Sequence, residues 1–224
     1  MKKIVISIGG SVILPEENNA TYLRELASLL KKHCGEHKIF LVAGGGKTAR
    51  KYIKLGRLLG FNEEILDSIG IDITRINAKL LTNILQVSNE EIPCTTDEAK
   101  NVDKPIVVMG GTTPGHSTDM VAAELAEKTN ADLLIIATNV DGIYDKDPNR
   151  YSDAKQLKEV KIDQLIKNYG VKWKSAGENI VVDGPALEII KKARLVTYVV
   201  NGRRLDQLER AIKNQSFNGT RITL

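Results

Sequence analysis

Two short β-branched runs in this chain each end in a glycine cluster, and that arrangement leaves few folds open. Ile4-Val5-Ile6-Ser7-Ile8 runs into Gly9-Gly10-Ser11, and Ile39-Phe40-Leu41-Val42-Ala43 runs into Gly44-Gly45-Gly46-Lys47. Apolar runs of this length, bounded by glycine, read as strands buried on both faces of a parallel sheet. Glycine where a strand gives way to a helix lets a ligand reach the backbone, since no Cβ stands in the way. The amides there, with the helix N-terminus that follows, favour an anion. Two such loops on neighbouring strands would hold two phosphates close together, a geometry suited to phosphoryl transfer.

The remainder of the chain alternates in the same way. Strands are expected over 3–8, 38–43, 105–109, 132–137 and 196–200, with a short terminal strand. Helical spacing of apolar residues predicts helices over 20–33, 47–59, 63–87, 118–128, 184–193 and 204–213. This pattern argues for an α/β fold, a three-layer αβα sandwich around a central, mostly parallel sheet. Ligands of such sheets bind beyond the carboxyl ends of the strands, where the glycine loops fall. Segments 142–162 and 170–183 read as long excursions, which often serve binding. The 224 residues fit one large domain or two tightly packed lobes.

Composition narrows the partners. Aromatic residues make up only 4%, fewer than a module that reads bases by stacking would carry, and the net charge of +4 is spread over solvated helix faces. No nucleic-acid partner is expected. Two cysteines, Cys34 and Cys94, lie far apart and make no disulfide framework or zinc-finger spacing. The Met1-Lys2-Lys3 start leads directly into a strand, and no apolar run approaches membrane-spanning length, so a cytoplasmic protein without a membrane partner is expected. His33, Cys34 and His37 sit together at a lysine-rich helix end. With no further ligand evident, they read as a solvated helix C-terminus favoured by positive charge, and no resident metal site is expected there.

Familiar nucleotide motifs fit poorly. Gly46-Lys47-Thr48 ends like a P-loop, but Leu41 stands where that loop needs a glycine. Gly44, Gly46 and Ala49 match a relaxed dinucleotide fingerprint, yet the region about twenty residues on looks helical and supplies no acidic strand end. Gly110-Gly111-Thr112-Thr113-Pro114-Gly115-His116-Ser117-Thr118-Asp119 is a stronger signal. It joins flexible backbone and four hydroxyls to a helix N-terminus, enough donors for a phosphate or a polar ring edge. Thr138-Asn139-Val140-Asp141-Gly142-Ile143-Tyr144 follows the next strand. It reads equally as turn chemistry, or as Tyr144 packing on a base with Asp147 accepting from a ribose hydroxyl.

In order along the chain, these pieces resemble the amino acid kinase superfamily, and within it the archaeal-type UMP kinases. The resemblance is carried by Ile8-Gly9-Gly10-Ser11, Gly44-Gly45-Gly46-Lys47 with Ala49-Arg50-Lys51-Tyr52, Asp67-Ser68-Ile69-Gly70-Ile71, Met109-Gly110-Gly111-Thr112 with Pro114-Gly115-His116, and Thr138 to Tyr144 with Asp147-Pro148. It covers nearly the whole chain. It implies a carbamate kinase-like fold, with an acceptor lobe over about 1–125 and an ATP lobe over about 126–224. It also implies ATP- and Mg2+-dependent phosphorylation of UMP to UDP in pyrimidine biosynthesis, by a homohexamer built from dimers.

By position, the resemblance assigns UMP to Gly44, Asp67 and the loop Thr112, Thr113, Pro114, Gly115, His116, Ser117 and Thr118. It assigns ATP to Gly9, Gly10, Ser11, Gly45, Arg50, Thr138, Asn139, Tyr144 and Asp147. Asp183 matches an aspartate that organises the active centre. Two positions depart from the family: Ser7 and Asn139 stand where many relatives carry lysine. Cationic catalysis is therefore expected from Lys47, Arg50 and Mg2+. The rival readings are a kinase of the same superfamily acting on acetylglutamate, carbamate or isopentenyl phosphate, or a non-catalytic nucleotide sensor. The last of those kinases would place a histidine where Thr48, Ala49 and Arg50 stand.

Overall fold

Alternate residues of β1 (Lys2–Ile8) face opposite ways, and from Ile4 to Ile8 both sets are buried, as in a strand covered on both faces of a sheet. The computed structural model describes residues 1–14, 19–146, 148, 151–170 and 181–224. After β1 come α1 (Gly10–Ile13), α2 (Asn19–His33), β2 (His37–Ala43), α3 (Gly46–Leu58), α4 (Glu63–Leu85), α5 (Thr96–Asn101) and β3 (Ile106–Met109). The second half runs α6 (Thr118–Thr129), β4 (Leu133–Thr138), β5 (Glu159–Lys161), α7 (Ile162–Tyr169), α8 (Gly184–Lys192), β6 (Thr197–Asn201), α9 (Leu205–Ile212) and β7 (Gly219–Thr223).

The strands form one seven-stranded sheet in the order β3-β2-β1-β4-β6-β7-β5. Every pairing is parallel except β6 with β7. Ile4, Ile6 and Ile8 pack with Leu26 and Leu30 of α2, Leu81 of α4 and Leu208 of α9. Val5, on the other face, packs with Val121 and Leu125 of α6 and Leu187 of α8. The expected three-layer sandwich and its mostly parallel sheet are therefore observed.

The five strands expected with stated bounds, β1, β2, β3, β4 and β6, fall within a residue of those bounds. Helix α4 stops two residues short of the expected 87, where Gln86 turns left-handed at φ 60°. Short apolar windows hid four elements: α1, α5, β5 and α7. β5 lies in the segment 142–162 read as an excursion and α7 follows from its last residue, with Val160, Ile162 and Leu165 buried. Most of the second excursion, and Asp147 in the first, lie outside the described residues.

The strand order reverses on either side of β1, with β2 and β3 to one side and β4 and β6 to the other. Loops leaving β1 and β4 must therefore part, and a crevice opens beyond their carboxyl ends.

Candidate functional site

The two glycine loops meet in that crevice, backbone against backbone. A Cβ on Gly10 would lie 2.2 Å from the amide nitrogen of Gly46, 2.4 Å from the carbonyl carbon of Gly45 and 2.5 Å from the oxygen of Gly44. Gly46 has φ +65°, and a Cβ there would lie 2.5 Å from the carbonyl carbon of Gly10. Part of the glycine requirement is thus the fit of one loop on the other, as well as access for a ligand. The Gly9 amide donates to the Ala137 carbonyl at 2.9 Å, tying the first loop to β4. Asn77, buried on α4, donates to the Gly44 carbonyl at 2.7 Å and holds the second loop from below. Nothing in the local sequence around Asn77 signals this role.

The loop after β3 is fastened on both sides. Thr74 of α4 accepts from the Gly111 amide at 2.7 Å. Asp67 Oδ2 accepts from the Gly115 amide at 2.6 Å, and Gly115 has φ +83°. Asp67 and the loop, both expected to hold one ligand, therefore stand side by side. Thr112 is half-buried, while Thr113 and Pro114 are exposed at the mouth. His116 carries a buried Nδ1 without a hydrogen-bond partner. Thr118 is the first residue of α6, and the Ser117 hydroxyl has partners within the protein. It caps α6 by accepting from the Met120 amide at 2.9 Å and donates to Asp183 Oδ2.

Asp183 and Asp119 form the acidic centre of the crevice. Asp183 is the N-cap of α8 and accepts from the Ala186 amide at 2.9 Å. Burial raises its carboxyl above the ordinary value, against the opposing pull of Ser117, the backbone amides and His116. Asp119, in the first turn of α6, accepts from the Ser7 hydroxyl at 2.6 Å. Burial, reinforced by the charge of Asp183, pushes Asp119 up from 3.8 to about 7. Asp119 keeps some solvent contact at the crevice. In the sequence Asp119 stands out only as the end of a loop that leads into a helix N-terminus. The serine in the usual lysine position was the available clue, because Ser7 ends on the same face of β1 as Val5 and points toward α6.

Cations ring the first glycine loop. Arg50 Nη2 donates to Ser11 Oγ at 3.0 Å. Arg203, just past β6, donates to the Ser11 carbonyl at 3.1 Å, and its backbone amide is held by Asn201 Oδ1 at 3.0 Å. Asn201 also donates to Asp141 Oδ1 at 2.9 Å, joining β6 to the loop after β4. Arg203 escaped sequence reading because its neighbour in space, Ser11, is far away in the chain. Lys47 is exposed in the first turn of α3. Thr138 ends β4, Asn139 is exposed beside it, and Tyr144 pairs with Gln156 in an isolated antiparallel bridge. Burial, then the charge of Asp141, raises the Tyr144 phenol above its usual value.

A mostly parallel sheet with paired glycine loops and an acidic centre at its switch point defines a class of phosphate-handling α/β proteins. Residues 2–201 match the amino acid kinase family, and the chain belongs to it. Among its relatives, the uridylate kinase of Methanobrevibacter smithii is 44% identical, with 98% of each chain covered. That of Methanocaldococcus jannaschii is 45% identical over 98% of this chain and 99% of its own. The crystal structure of uridylate kinase from Archaeoglobus fulgidus superposes with a TM-score of 0.88 at 39% identity, covering 100% of both chains.

Proposed function

We propose that this chain transfers the γ-phosphoryl group of ATP to UMP, making UDP for pyrimidine nucleotide synthesis. The observation that carries the reading is the acceptor loop 112–118 fastened to Asp67, beside paired glycine loops, in a chain whose full-length relatives are uridylate kinases. UMP would lie against Gly44, Asp67 and the loop, with its phosphate toward the amide end of α6. His116 Nδ1, buried and unpartnered, is a polar group for that ligand to satisfy. ATP would lie over Gly9, Gly10, Ser11 and Gly45, with its nucleoside toward Thr138, Asn139, Tyr144 and Asp147. In this reading residues up to about 125 form the acceptor lobe and the rest the ATP lobe, on one shared sheet.

The reaction asks little covalent work of the protein. The attacking oxygen belongs to a phosphate that is already anionic, so no strong general base is required. The glycine-loop amides, Arg50, Arg203 and Lys47 would stabilise charge on the transferring oxygens, and the fixed loops would align donor and acceptor. The residues present fit a magnesium ion: Asp119 and Asp183 offer hard carboxylate oxygens, burial disfavours the charge of both, and the charge of Asp183 adds to the cost at Asp119. Mg2+ held there would neutralise and orient the ATP phosphates. Ser7 and Ser117 keep the two carboxylates aimed at the crevice.

Assembly into a homohexamer of dimers, and a cytoplasmic location, complete the proposal. Helices α3 and α4 and the turn between them leave Tyr52, Leu55, Leu58, Leu59, Phe61 and Ile76 exposed, apolar surface that a second copy would cover. Among the described residues no helix is long and apolar enough to cross a membrane. A coupled assay with ATP against UMP, CMP, N-acetylglutamate, carbamate and isopentenyl phosphate tests the reading. UMP should be the preferred acceptor. Turnover confined to any of the other four would overturn it, and tight binding of UMP and ATP without turnover would favour the nucleotide sensor.

A further inference from the structure

At the opposite end of the sheet from the crevice, the turn between α2 and β2 gathers three ligand-type side chains. His33 ends α2, His37 begins β2, and Glu36 stands between them. One nitrogen from each ring and one Glu36 carboxylate oxygen all lie within 4.8 Å of one another. The two rings stack with centroids 6.4 Å apart and planes at 20°. His33 is 3% exposed, so this helix end is not the solvated terminus that the lysine-rich sequence suggests. His37 Nδ1 is buried and has no hydrogen-bond partner.

A second observation comes from α9. Glu209 Oε1 lies 3.0 Å from His33 Nε2 and also binds Lys32 at 2.8 Å and Lys213 at 3.2 Å. Two lysines and the His33 ring thus converge on one oxygen of this carboxylate. A carboxylate behind an imidazole is the usual way to fix the tautomer of a metal-binding histidine. With Nε2 turned to Glu209, His33 has Nδ1 to offer an ion.

We propose that His33, Glu36 and His37 form a binding site for a zinc-class divalent ion, which staples the α2–β2 turn and, through Glu209, ties it to α9. Two imidazoles and one carboxylate suit zinc, and suit the softer end of the divalent series over magnesium. Ligand atoms about 2 Å from a tetrahedral ion stand roughly 3.4 Å apart, so closure needs only a small movement. Glu36 is exposed and free to swing, and it opens the path by which the ion enters. Solvent supplies the fourth ligand. The site lies a full strand, about 20 Å, from the Gly44 loop, so its role is structural.

The test uses untagged protein stripped with a chelator and titrated with Zn2+ against a chromophoric indicator, with excess Mg2+ present to occupy the crevice. One zinc should bind per chain and raise the melting temperature. Glu36→Gln and His37→Asn should each weaken zinc binding at least about tenfold, and Glu209→Gln about tenfold. Glu36→Gln changes an exposed side chain and should fold and turn over normally, which separates metal binding from folding. Substituted Co2+ should give a visible band without thiolate charge transfer. Unchanged zinc affinity in Glu36→Gln and His37→Asn overturns the proposal, and so does a thiolate band pointing to Cys34 or Cys94.

Discussion

Replacing Asp119 by asparagine should stabilise the metal-free protein while removing its activity. In the unfolded chain this carboxyl gives up its proton near 3.8, whereas the folded protein keeps it until about 7. Between those values the native state holds more protons than the unfolded one, so this group's contribution is complete below 3.8 and is lost as pH rises through about 7. The gap of about 3 pH units corresponds to about 4 kcal/mol at 1.36 kcal/mol per unit. Remaining solvent contact reduces that to roughly 2–3 kcal/mol. Asparagine cannot ionise, and its amide oxygen can still accept from Ser7. Urea unfolding in EDTA at about pH 5 and about pH 8 should show Asp119→Asn gaining about 2 kcal/mol on the parent across that interval. Added Mg2+ should stabilise the parent at the higher pH and the variant much less. A stability difference that ignores pH, or a variant less stable than the parent at about pH 8, would refute the account of Asp119 as a buried carboxylate awaiting a cation.

Asp67→Ala removes the anchor of the Gly115 amide and, in the proposed reading, an acceptor for UMP, a loss of about 1–3 kcal/mol. Steady-state kinetics should show the UMP KM rising about tenfold or more and the ATP KM changing much less; equal changes would move Asp67 out of the acceptor pocket. Arg50→Ala and Arg203→Ala should each lower kcat at saturating substrates, and an unchanged kcat would limit that arginine to binding. Light scattering at micromolar concentration should give a mass well above 24.7 kDa, and Leu58→Asp should reduce it. A fully active monomer would sink the proposed assembly.

Sheet, layers and the location of the crevice were legible in the sequence because each depends on local pattern. A β-branched run such as Ile39–Ala43 ending in glycines can hardly be anything but an internal strand with a ligand-side loop. The family, too, could be read from the ordered glycine loops, Asp67 and the segment from Thr138 to Tyr144. Tertiary structure alone decided which side chains meet. Ser7 reaches Asp119 across 112 residues, and Arg203 reaches Ser11 across 192. Asn77 holds Gly44 from a neighbouring helix. Such pairings depend on strand order and layer packing, which no local window encodes. The acidity of Asp119 arises the same way, since it comes from what surrounds the carboxyl. His33 makes the same point in reverse: lysines beside it in sequence suggested solvent, while the sheet and α9 bury it against Glu209. Sequence periodicity sets which face a residue takes, and only the assembled layers set what that face meets.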